Sequence, residues 1–594
     1  MYNSTLGTIH IQISMKSSLD GIIYIPSESA MKVLIKGNII APGESPQHMF
    51  KRVIDTIFSV ESSIGVAKGD TQKAKRLFAR FMADKLFTPG TPTLTNAGRP
   101  GYESSALSSC AIIPADLRKK AESTKLIKAY YRQNMGSGFD LTPYDNPIEL
   151  LLWLNEMAVK ETKEGGYDRY IGNMANLHVS HPAIRQFIAL KKEKRLPHFN
   201  CSVVVDNAFM DAAIHDMPYV LTDGTKEKAR ELLMMIAESS WVIGDPSIIN
   251  LERMNQDNPI RDLLPYISAP PCAEMGLSVG ETCQFIYINI SKFCAPKGIN
   301  YSLLKKVVTI VVRALDNAVE YGISRYPSET STTVAKIKRK IGIAVSGIAD
   351  TLLYYQLPYG SSESLRLVRD VVSYVNYVSK CASVELARKR GPCGAMKYQK
   401  ENAYYHDYLK NRYHFSTRTV SKKDWEELND RIKKTGMLRN ILTITQPPAA
   451  RVSFLMDCSF GIEPLFGFPS DPTMFSKSVR MFVEKYYKSD SSSILLRASR
   501  DGSFKNTSLS SFSKRCLRTA TELTPAKHIA MVSALAGTDG VIDETASKTV
   551  NLPTTATVND VFDVFILAHK KGLKNISVYR DGSYEDQPYN LTKK

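Results

Sequence analysis

Apolar residues recur with a helical period in several long segments of this chain. The run PQHMFKRVIDTIFSVESSIG, which begins at Pro46, places them at intervals of three and four, and 72–87 does the same. The run YSLLKKVVTIVVRALDNAVEYG from Tyr301 and the segment 362–387 repeat the pattern, and Gly391 lies shortly beyond the second of these. Each segment predicts an amphipathic helix that buries one side.

Short apolar runs between these helices predict strands. IHIQI and GIIYI in the first 45 residues have a β-like pattern, and NCSVVVD at 200–206 is typical of a buried strand. Near the end of the chain, Thr557 and Asp560 form a capping box for VFDVFILAHKK, Gly572 ends that helix, and NISVYRDG follows as strand and turn. Helices that alternate with short strands predict an α/β fold.

Two breaks in the pattern suggest how the chain is divided. TPGTPTLTNAGRPG at 88–101 is rich in Pro and Gly and predicts a loop. The stretch 489–514 is Ser-rich and basic and predicts a mobile loop or insertion. We therefore predict four parts: a helical N-terminal lobe at 1–90, a catalytic domain at 91–480, a Ser-rich basic loop or insertion at 481–520, and the rest of the catalytic domain with a frayed tail at 521–594.

Composition narrows the class of protein. The 594 residues are 43% apolar and 23% charged, which excludes a fibrous or disordered chain. No window reaches the roughly 18 apolar residues of a membrane span, and no signal peptide begins the chain, so we predict a cytoplasmic protein. Nine cysteines without a CxxC pair fit a reducing compartment and predict mostly free thiols.

The net charge of +18 admits two interpretations. Dispersed lysines favour a solvated basic surface, while a phosphorylated ligand or cofactor is the alternative. No basic run is interleaved with aromatic residues as on a nucleic-acid platform, so we do not expect nucleic-acid binding.

The segment with the clearest chemistry runs from Pro270 to Cys283. If 272–274 is extended, Cys272 and Glu274 point to the same side, because side chains alternate along a strand. Eleven residues after Cys272, Cys283 begins a second apolar run that would bring another thiol to the same region. The alternative is that all three residues are buried and inert, as free cysteines often are.

Together with its neighbours this segment resembles the ribonucleotide reductase pattern Asn-Pro-Cys-x-Glu followed by Ser-Cys-Asn-Leu. The resemblance extends along most of the chain, through PTLTNAGRP, SSC, GSGFD, GNMANLHVSHPAIRQFI, FNCSVVV, RKIGIAVSGIADTL, SFGIEPLF, SKTVNLP and NISVYRDGS. It implies a ten-stranded α/β barrel with a central finger loop, next to a small and mainly helical N-terminal lobe.

The resemblance also implies roles for four residues. Cys272 would become the thiyl radical that removes the ribose 3′-hydrogen, and Glu274 would be the base on the 3′-hydroxyl. Cys110 and Cys283 would be the dithiol that protonates the leaving 2′-hydroxyl and ends as a disulfide. The residue types suit this chemistry, since a thiol hydrogen is close in bond strength to a ribose hydrogen and two thiols supply two electrons.

The interval of eleven residues and the VYRDGS ending resemble the adenosylcobalamin-dependent members, so we expect that cofactor. No cysteine follows Cys516, whereas related chains often end in a cysteine-bearing tail, so a thioredoxin-like dithiol protein is the expected reductant. A homodimer with a nucleotide effector at its interface is expected too. The N-terminal part is too short to contain the nucleotide-binding cone that switches overall activity in many relatives, so we do not expect that form of regulation.

Substrate contacts are expected from Thr91, from Ser109 beside the redox cysteine, and from the loop before SFGIEPLF. Besides the missing C-terminal cysteine, the sequence departs from the family in two places. Pro270 stands where the family has an Asn that contacts the ribose. The family phosphate loop, Pro-Thr-Gly-Thr-Ile-Ser, is replaced by Pro448, Ala449, Ala450, Arg451, Val452 and Ser453. Arg451 would restore the lost phosphate contacts with a bidentate ion pair, or is a surface charge.

Two other functions stay open. A large subunit driven by a separate radical protein predicts a tyrosine pair near the C-terminus, but Tyr486 and Tyr487 lie far from it. A non-catalytic nucleotide-binding paralogue would explain Pro270 and the altered phosphate loop. We predict a reductase that converts ribonucleoside diphosphates or triphosphates to deoxyribonucleotides.

Overall fold

The structure is a computed structural model of the 594-residue chain. It describes residue 19 and residues 21–166, 169–193, 196–398 and 407–583. IHIQI and the C-terminal tail lie outside the described residues.

The strands are β1 (Phe87–Pro89), β2 (Cys110–Ile112), β3 (Gly136–Asp140), β4 (Asn173–His178), β5 (Phe199–Val204), β6 (Pro218–Val220), β7 (Lys226–Lys228), β8 (Ser247–Ile249), β9 (Thr282–Cys283), β10 (Phe285–Asn289), β11 (Cys294–Ala295), β12 (Gly298–Ile299), β13 (Gly342–Ser346), β14 (Thr549–Leu552) and β15 (Asn575–Arg580).

The helices are α1 (Glu28–Lys36), α2 (Pro46–Ser59), α3 (Lys68–Ala83), α4 (Thr91–Asn96), α5 (Lys120–Tyr131), α6 (Pro147–Glu164), α7 (Ile184–Lys192), α8 (Asn207–Ile214), α9 (Ala229–Ile243), α10 (Leu251–Gln256), α11 (Tyr301–Ile323), α12 (Glu329–Lys338), α13 (Ile348–Tyr354), α14 (Ser362–Arg390), α15 (Tyr408–Arg412), α16 (Lys422–Thr435), α17 (Ala450–Met456), α18 (Lys477–Tyr486), α19 (Ser491–Asp501), α20 (Ser511–Cys516), α21 (Pro525–Ala536) and α22 (Val558–Lys570).

Five parallel strands form the first half of a barrel. They pair in the order β2, β3, β4, β5 and β8. Most of their residues are buried on both faces, as parallel strands covered by helices must be. The buried strand predicted at 200–206 is β5, one position earlier.

The second half contains five further strand positions and closes the barrel. β10 pairs in parallel with β13, and isolated parallel bridges then join Ile343 to Ile444 and Gln446 to Ala546. β14 pairs in parallel with β15, and β15 lies antiparallel to β8. β9, which continues into β10, lies antiparallel to β2. The ring of ten strands confirms the predicted α/β barrel.

The N-terminal lobe is helical, as predicted. The run from Pro46 forms α2, where Ser45 caps the first turn and Pro46 occupies the first helical position. GIIYI at 21–25 forms no strand, so that β-like pattern misled. The predicted loop at 88–101 holds the end of β1 and the short helix α4, because Thr91 and Pro92 begin a helix after Gly90.

The stretch 489–514 is folded, which makes the predicted mobile loop wrong. It contains α19 and the first residues of α20, and with α18 these helices enclose a separate apolar cluster around Phe482, Ile494 and Leu517. The serines misled because Ser510 caps α20, accepting a hydrogen bond from the Ser513 amide. The four predicted boundaries stay predictions.

Other predicted features are present. The long helices α11 and α14 form as expected, α14 ends against Gly391, and Thr557 and Asp560 make the capping box of α22. No helix in the described ranges is long and apolar enough to cross a membrane.

Candidate active site

The chain between α10 and β9 enters the barrel as a finger loop, defined here as residues 266–277. An antiparallel bridge between Ser268 and Leu277 closes its base. Gly138 of β3 makes room for the loop, because a Cβ there would lie 2.4 Å from the Ala269 carbonyl oxygen. On the far side, Asn575 of β15 donates to the Ala273 carbonyl oxygen at 3.0 Å. The loop therefore contacts both halves of the barrel.

The tip of the finger loop is a turn, which corrects the extended strand considered for 272–274. The Ala273 amide donates to the Pro270 carbonyl oxygen at 2.8 Å, and Ala273 has a φ of 53°. Pro270 is buried and contributes this turn with its backbone; its side chain has no hydrogen-bonding group. Backbone reversal, and not strand alternation, brings Cys272 and Glu274 near each other.

Cys110 and Cys283 face each other across two paired strands. They are direct partners in the antiparallel pairing of β2 with β9, and both are buried free thiols. Burial, together with a hydrogen bond that the Cys283 thiol donates to the neighbouring Cys110, raises the pKa of the Cys283 thiol well above its usual value. Opposed thiols on adjacent strands can be oxidised to a disulfide without moving either strand far.

Glu274 completes a compact group with these thiols. Its carboxylate oxygen and the sulfurs of Cys110 and Cys283 all lie within 4.8 Å of one another. Burial raises the pKa of the Glu274 carboxyl to about 7, and the nearby charge of Arg169 opposes that rise. One carboxylate oxygen is buried without a hydrogen-bond partner, so it can accept a proton or hydrogen bond from a ligand.

The backbone of Glu274 is fixed more firmly than its side chain. The Thr445 hydroxyl donates to the Glu274 carbonyl oxygen at 2.5 Å, and the Thr545 amide donates to the same atom at 3.3 Å. Both threonines belong to strand positions of the second half-barrel. The backbone of Glu274 is thus held by hydrogen bonds, while one oxygen of its carboxylate has no hydrogen-bond partner.

Cys272 differs from the other two thiols because its side chain is exposed. It lies in the turn at the tip of the finger loop, where the Ala273 amide donates to the Pro270 carbonyl oxygen. Burial among protein atoms still raises the pKa of its thiol well above the usual value, and the charges of Glu274 and Cys110 add to the rise. Cys272 is a protonated thiol that a reactant can reach.

Ser109 lies next to this group and close to Gly90, the residue before Thr91. A Cβ on Gly90, the residue before Thr91, would lie 3.6 Å from the Ser109 hydroxyl oxygen. The Ser109 amide donates to the Cys283 carbonyl oxygen at 2.6 Å, while its buried hydroxyl has no partner. A buried hydroxyl without a partner is rare and suits a polar ligand.

The altered phosphate loop lies against the same group. Ala449 and Val452 pack in the apolar cluster that contains Cys110 and Cys283, and the Tyr287 hydroxyl donates to the Pro448 carbonyl oxygen at 3.1 Å. Ala450 is exposed and makes no such contact.

Arg451 is exposed on this loop, and no carboxylate within the described ranges pairs with it. Partial burial lowers the pKa of its guanidinium, and the charge of Arg169 lowers it further. Arg169 donates to the carbonyl oxygens of Ser109 at 3.3 Å and Asn134 at 3.0 Å. The charge of Arg169 therefore reaches Arg451, and Arg169 itself lies against the backbone of Ser109, so an anion in this region would be favoured.

Sequence reasoning missed Arg169 and Tyr287. Tyr287 interacts electrostatically with Glu274 and all three site cysteines. Its signal was its position, four residues after Cys283 in the apolar run. The sequence offered one signal for Arg169, which is its position in a loop between predicted elements. Tyr486 and Tyr487 lie at the end of α18, where the Tyr487 hydroxyl contacts Ser513, so the structure does not bring them to the site.

The spacing of Cys110, Glu274 and Cys283 is also compatible with a small metal ion, although none was predicted. Thiols bind metals as thiolates, and burial of Cys283 favours the protonated thiol. The arrangement suits a redox dithiol beside a base.

Comparisons with known proteins bear on the fold and the family of this chain. The family model described as ribonucleotide reductase, barrel domain, matches residues 144–579, and the model of its all-alpha domain matches 26–102. A vitamin B12-dependent ribonucleoside-diphosphate reductase of Thermoplasma acidophilum is 29% identical over 85% of this chain and 65% of its own length. The enzyme of that name from Mycobacterium tuberculosis is 27% identical over 92% of this chain and 77% of its own length.

A solved structure supports the fold alone. The class Id ribonucleotide reductase alpha subunit of Actinobacillus ureae has a TM-score of 0.73 and 14% identity, and the match covers 94% of this chain and 97% of that one. The chain thus spans about two thirds of the Thermoplasma relative and nearly all of the solved one.

Proposed function

We propose, because this chain belongs to the ribonucleotide reductase large-subunit family, that it reduces ribonucleoside diphosphates or triphosphates to deoxyribonucleotides. One observation carries the proposal. The thiols of Cys110 and Cys283 meet the carboxylate of Glu274 inside the barrel, next to the reachable thiol of Cys272. A dithiol, a base and a separate accessible thiol are the groups that this reduction needs.

In the first step, the Cys272 thiyl radical removes the ribose 3′-hydrogen and becomes a thiol. Glu274 accepts the proton of the 3′-hydroxyl, which eases loss of the adjacent 2′-hydroxyl. Its pKa of about 7 leaves a large fraction of the carboxylate deprotonated at neutral pH. The partnerless carboxylate oxygen is the atom that would take this proton.

In the second step, one thiol of the Cys110 and Cys283 pair donates a proton to the 2′-hydroxyl, which leaves as water. The second thiol supplies the hydrogen that the 2′-carbon gains, Glu274 returns its proton to the 3′-oxygen, and the two thiols, having supplied two electrons, become a disulfide. Cys272 then returns its hydrogen atom to the 3′-carbon and becomes the radical again. The net change is loss of one oxygen from the sugar and oxidation of two thiols.

Adenosylcobalamin is the proposed cofactor, because the vitamin B12-dependent relatives match most of this chain. When bound, it supplies one-electron chemistry through homolysis of its cobalt–carbon bond. The structure fits the group in one respect: the Cys272 thiol is exposed, whereas Cys110 and Cys283 are buried. Asn200 is exposed and donates to the carbonyl oxygen of Pro271, the residue before Cys272, at 2.9 Å, so it would contact the cofactor.

The substrate phosphates are proposed to bind beside Ser109. Its partnerless hydroxyl, the neighbouring Thr91, and the guanidinium groups of Arg451 and Arg169 would surround them. Arginine binds phosphate through two parallel N–H groups, so Arg451 can replace contacts that the family makes with threonine and serine hydroxyls. Ala449, Val452 and Pro448 would shape the apolar side of this pocket, and Ala450 its rim.

The remaining partners are proposals that rest on the family. A thioredoxin-like dithiol protein would reduce the Cys110 and Cys283 disulfide after each turnover. A nucleotide effector would bind at the interface of a homodimer.

The test incubates the protein with adenosylcobalamin, dithiothreitol and each ribonucleotide, and measures deoxyribonucleotides by chromatography. We expect product only with the cofactor, and none from Cys272→Ala. Product without cobalamin but with a radical-generating protein would favour the other catalytic class. Binding of nucleotides without any product under either condition would favour a non-catalytic paralogue.

A further inference from the structure

A cluster of four buried charges lies at the base of the finger loop. Called the base cluster here, it consists of Glu281, Lys338, Lys340 and Glu544, each at most 4% exposed. Lys338 contacts Glu281 at 2.6 Å, and Lys340 contacts Glu281 at 2.8 Å and Glu544 at 3.0 Å. Two cations balance two anions, so the cluster is neutral.

The base cluster binds both backbone groups of one finger-loop residue. Lys340 donates to the Gly276 carbonyl oxygen at 2.8 Å, and the Gly276 amide donates to Glu544 at 3.3 Å. Gly276 follows Glu274 by two residues. The ion pair of Lys340 and Glu544 therefore fixes both the carbonyl and the amide of Gly276.

Tyr266 at the start of the finger loop joins the same cluster. Its hydroxyl donates to Glu544 at 2.9 Å, and the Lys340 ammonium lies 4.6 Å from its ring centroid. A Cβ on Gly276 would lie 2.3 Å from a Tyr266 ring carbon, so only glycine fits between that ring and the ion pair. The two legs of the finger loop are thus held to each other through Lys340 and Glu544.

A buried ion pair is a poor way to gain stability, because removing charges from water offsets most of their attraction. It is an effective way to fix geometry, since few backbone positions satisfy all its hydrogen bonds. A loop that must place a thiol and a carboxylate against one sugar needs that geometry, because small displacements cost large factors in rate.

We propose that Lys340 and Glu544 are positioning residues, which hold the finger loop at Gly276 so that Cys272 and Glu274 meet the substrate. The proposal rests on the proposed reductase function. Neither residue is assigned a contact with the substrate. Both act through the loop and through the charge that they place near Glu274.

The charged and titratable groups around Glu274 come from every element that packs on it. They are Cys110, Arg169, Cys272, Cys283, Tyr287, Lys340 and Glu544. Burial is the main cause of its raised pKa; the negative charge of Glu544 raises that pKa further, and the positive charge of Lys340 lowers it. Removing the charge of Glu544 should therefore lower the pKa of Glu274, and removing the charge of Lys340 should raise it.

The test compares Glu544→Gln and Lys340→Gln with the wild-type protein and with Glu61→Gln. Glu61 is a matched control, since it is a buried carboxylate bound by Arg313 and Arg390, and neither arginine forms an ion pair with Glu281 or Glu544 of the base cluster in the described ranges. We expect kcat to fall by about tenfold or more in both base-cluster variants, with KM little changed. The acid limb of the kcat profile should move to lower pH in Glu544→Gln and to higher pH in Lys340→Gln.

A second readout does not need turnover. Alkylation of Cys272 by iodoacetamide, followed by mass spectrometry of the protein without cofactor, reports how the loop tip is held. We expect the alkylation rate of Cys272 to change in Glu544→Gln and in Lys340→Gln. It should also change in the variant that carries both substitutions, in which Glu281 and Lys338 still pair and no buried charge is left alone. It should not change in Glu61→Gln. The proposal would be overturned if every base-cluster variant had the kcat, the pH profile and the alkylation rate of the wild-type protein. An inactive wild-type enzyme would instead count against the reductase function, while the alkylation result would still judge the loop.

Discussion

The thiol side and the phosphate side of the site are built in different ways. On the thiol side, Cys110 and Cys283 are fixed by the pairing of β2 with β9, and the Glu274 backbone is held by Thr445 and Thr545. On the phosphate side, the exposed Arg451 lies at the start of the short helix α17 and has no carboxylate partner in the described ranges. Backbone pairing determines the geometry of the thiol side, whereas side-chain charge dominates the phosphate side.

This difference teaches which parts of the site tolerate change. A thiol pair placed by strand register cannot be supplied from another position without moving the barrel. An anion pocket can exchange hydroxyls for guanidinium groups, since either binds phosphate. Substitutions on the thiol side should therefore abolish turnover, and those on the phosphate side should weaken substrate binding.

The largest effect is expected from Cys283→Ser. A serine hydroxyl cannot form a disulfide, so the two electrons of the reduction are lost and steady-state turnover should fall by about 10³-fold. Deoxyribonucleotide production under dithiothreitol measures this loss. Cys201→Ser is the matched control, because Cys201 is also buried on a barrel strand but is absent from the site, and it should keep near wild-type kcat.

The second effect is a pH dependence. Glu274 acts as a base only when deprotonated, and its pKa of about 7 lies above the usual value, so kcat should rise with pH through neutrality. Below pH 6 the rate should fall by about tenfold per pH unit. A kcat profile from pH 5 to 9 measures this. An acid limb centred near the ordinary glutamate value would mean that Glu274 is not the base, or is not buried during turnover.

A smaller effect is expected on the phosphate side. Arg451→Gln removes one guanidinium from the proposed pocket, so KM should rise by about tenfold, or about 1.4 kcal/mol, with kcat nearly unchanged. Arg500→Gln, an exposed arginine on α19, is the control and should have wild-type KM. Equal KM values in the two variants would make Arg451 a surface charge.

The smallest effect is expected from Ser109→Ala. The Ser109 hydroxyl has no partner in the free protein, so its loss should leave the thermal midpoint unchanged. If it binds phosphate, KM should rise by about threefold, the value of one modest hydrogen bond. Thermal melts and steady-state kinetics on the same preparation separate the two quantities. A lowered midpoint with unchanged KM would indicate a structural hydroxyl instead.

The sequence was sufficient for the long helices, because the apolar period reports local structure directly, and motif order selected Cys110, Glu274 and Cys283, which the structure brings together. It was insufficient where tertiary contacts decide. The turn at Ala273 depends on hydrogen bonds from distant strands, so alternation along a strand was the wrong model for Cys272 and Glu274. The helices within 489–514 were missed because the stretch is rich in serine, one of which, Ser510, caps α20. Arg169 was missed because its neighbours lie far away in sequence.

The central claim is that Cys110 and Cys283 are the electron donors for a substrate placed beside Cys272. The most direct measurement is a single turnover without added reductant, in which product is quantified and thiols are mapped by mass spectrometry after alkylation. We predict two thiols lost per deoxyribonucleotide, recovered as a disulfide between Cys110 and Cys283. Product formed with both thiols still free, or with a disulfide elsewhere, would contradict the account.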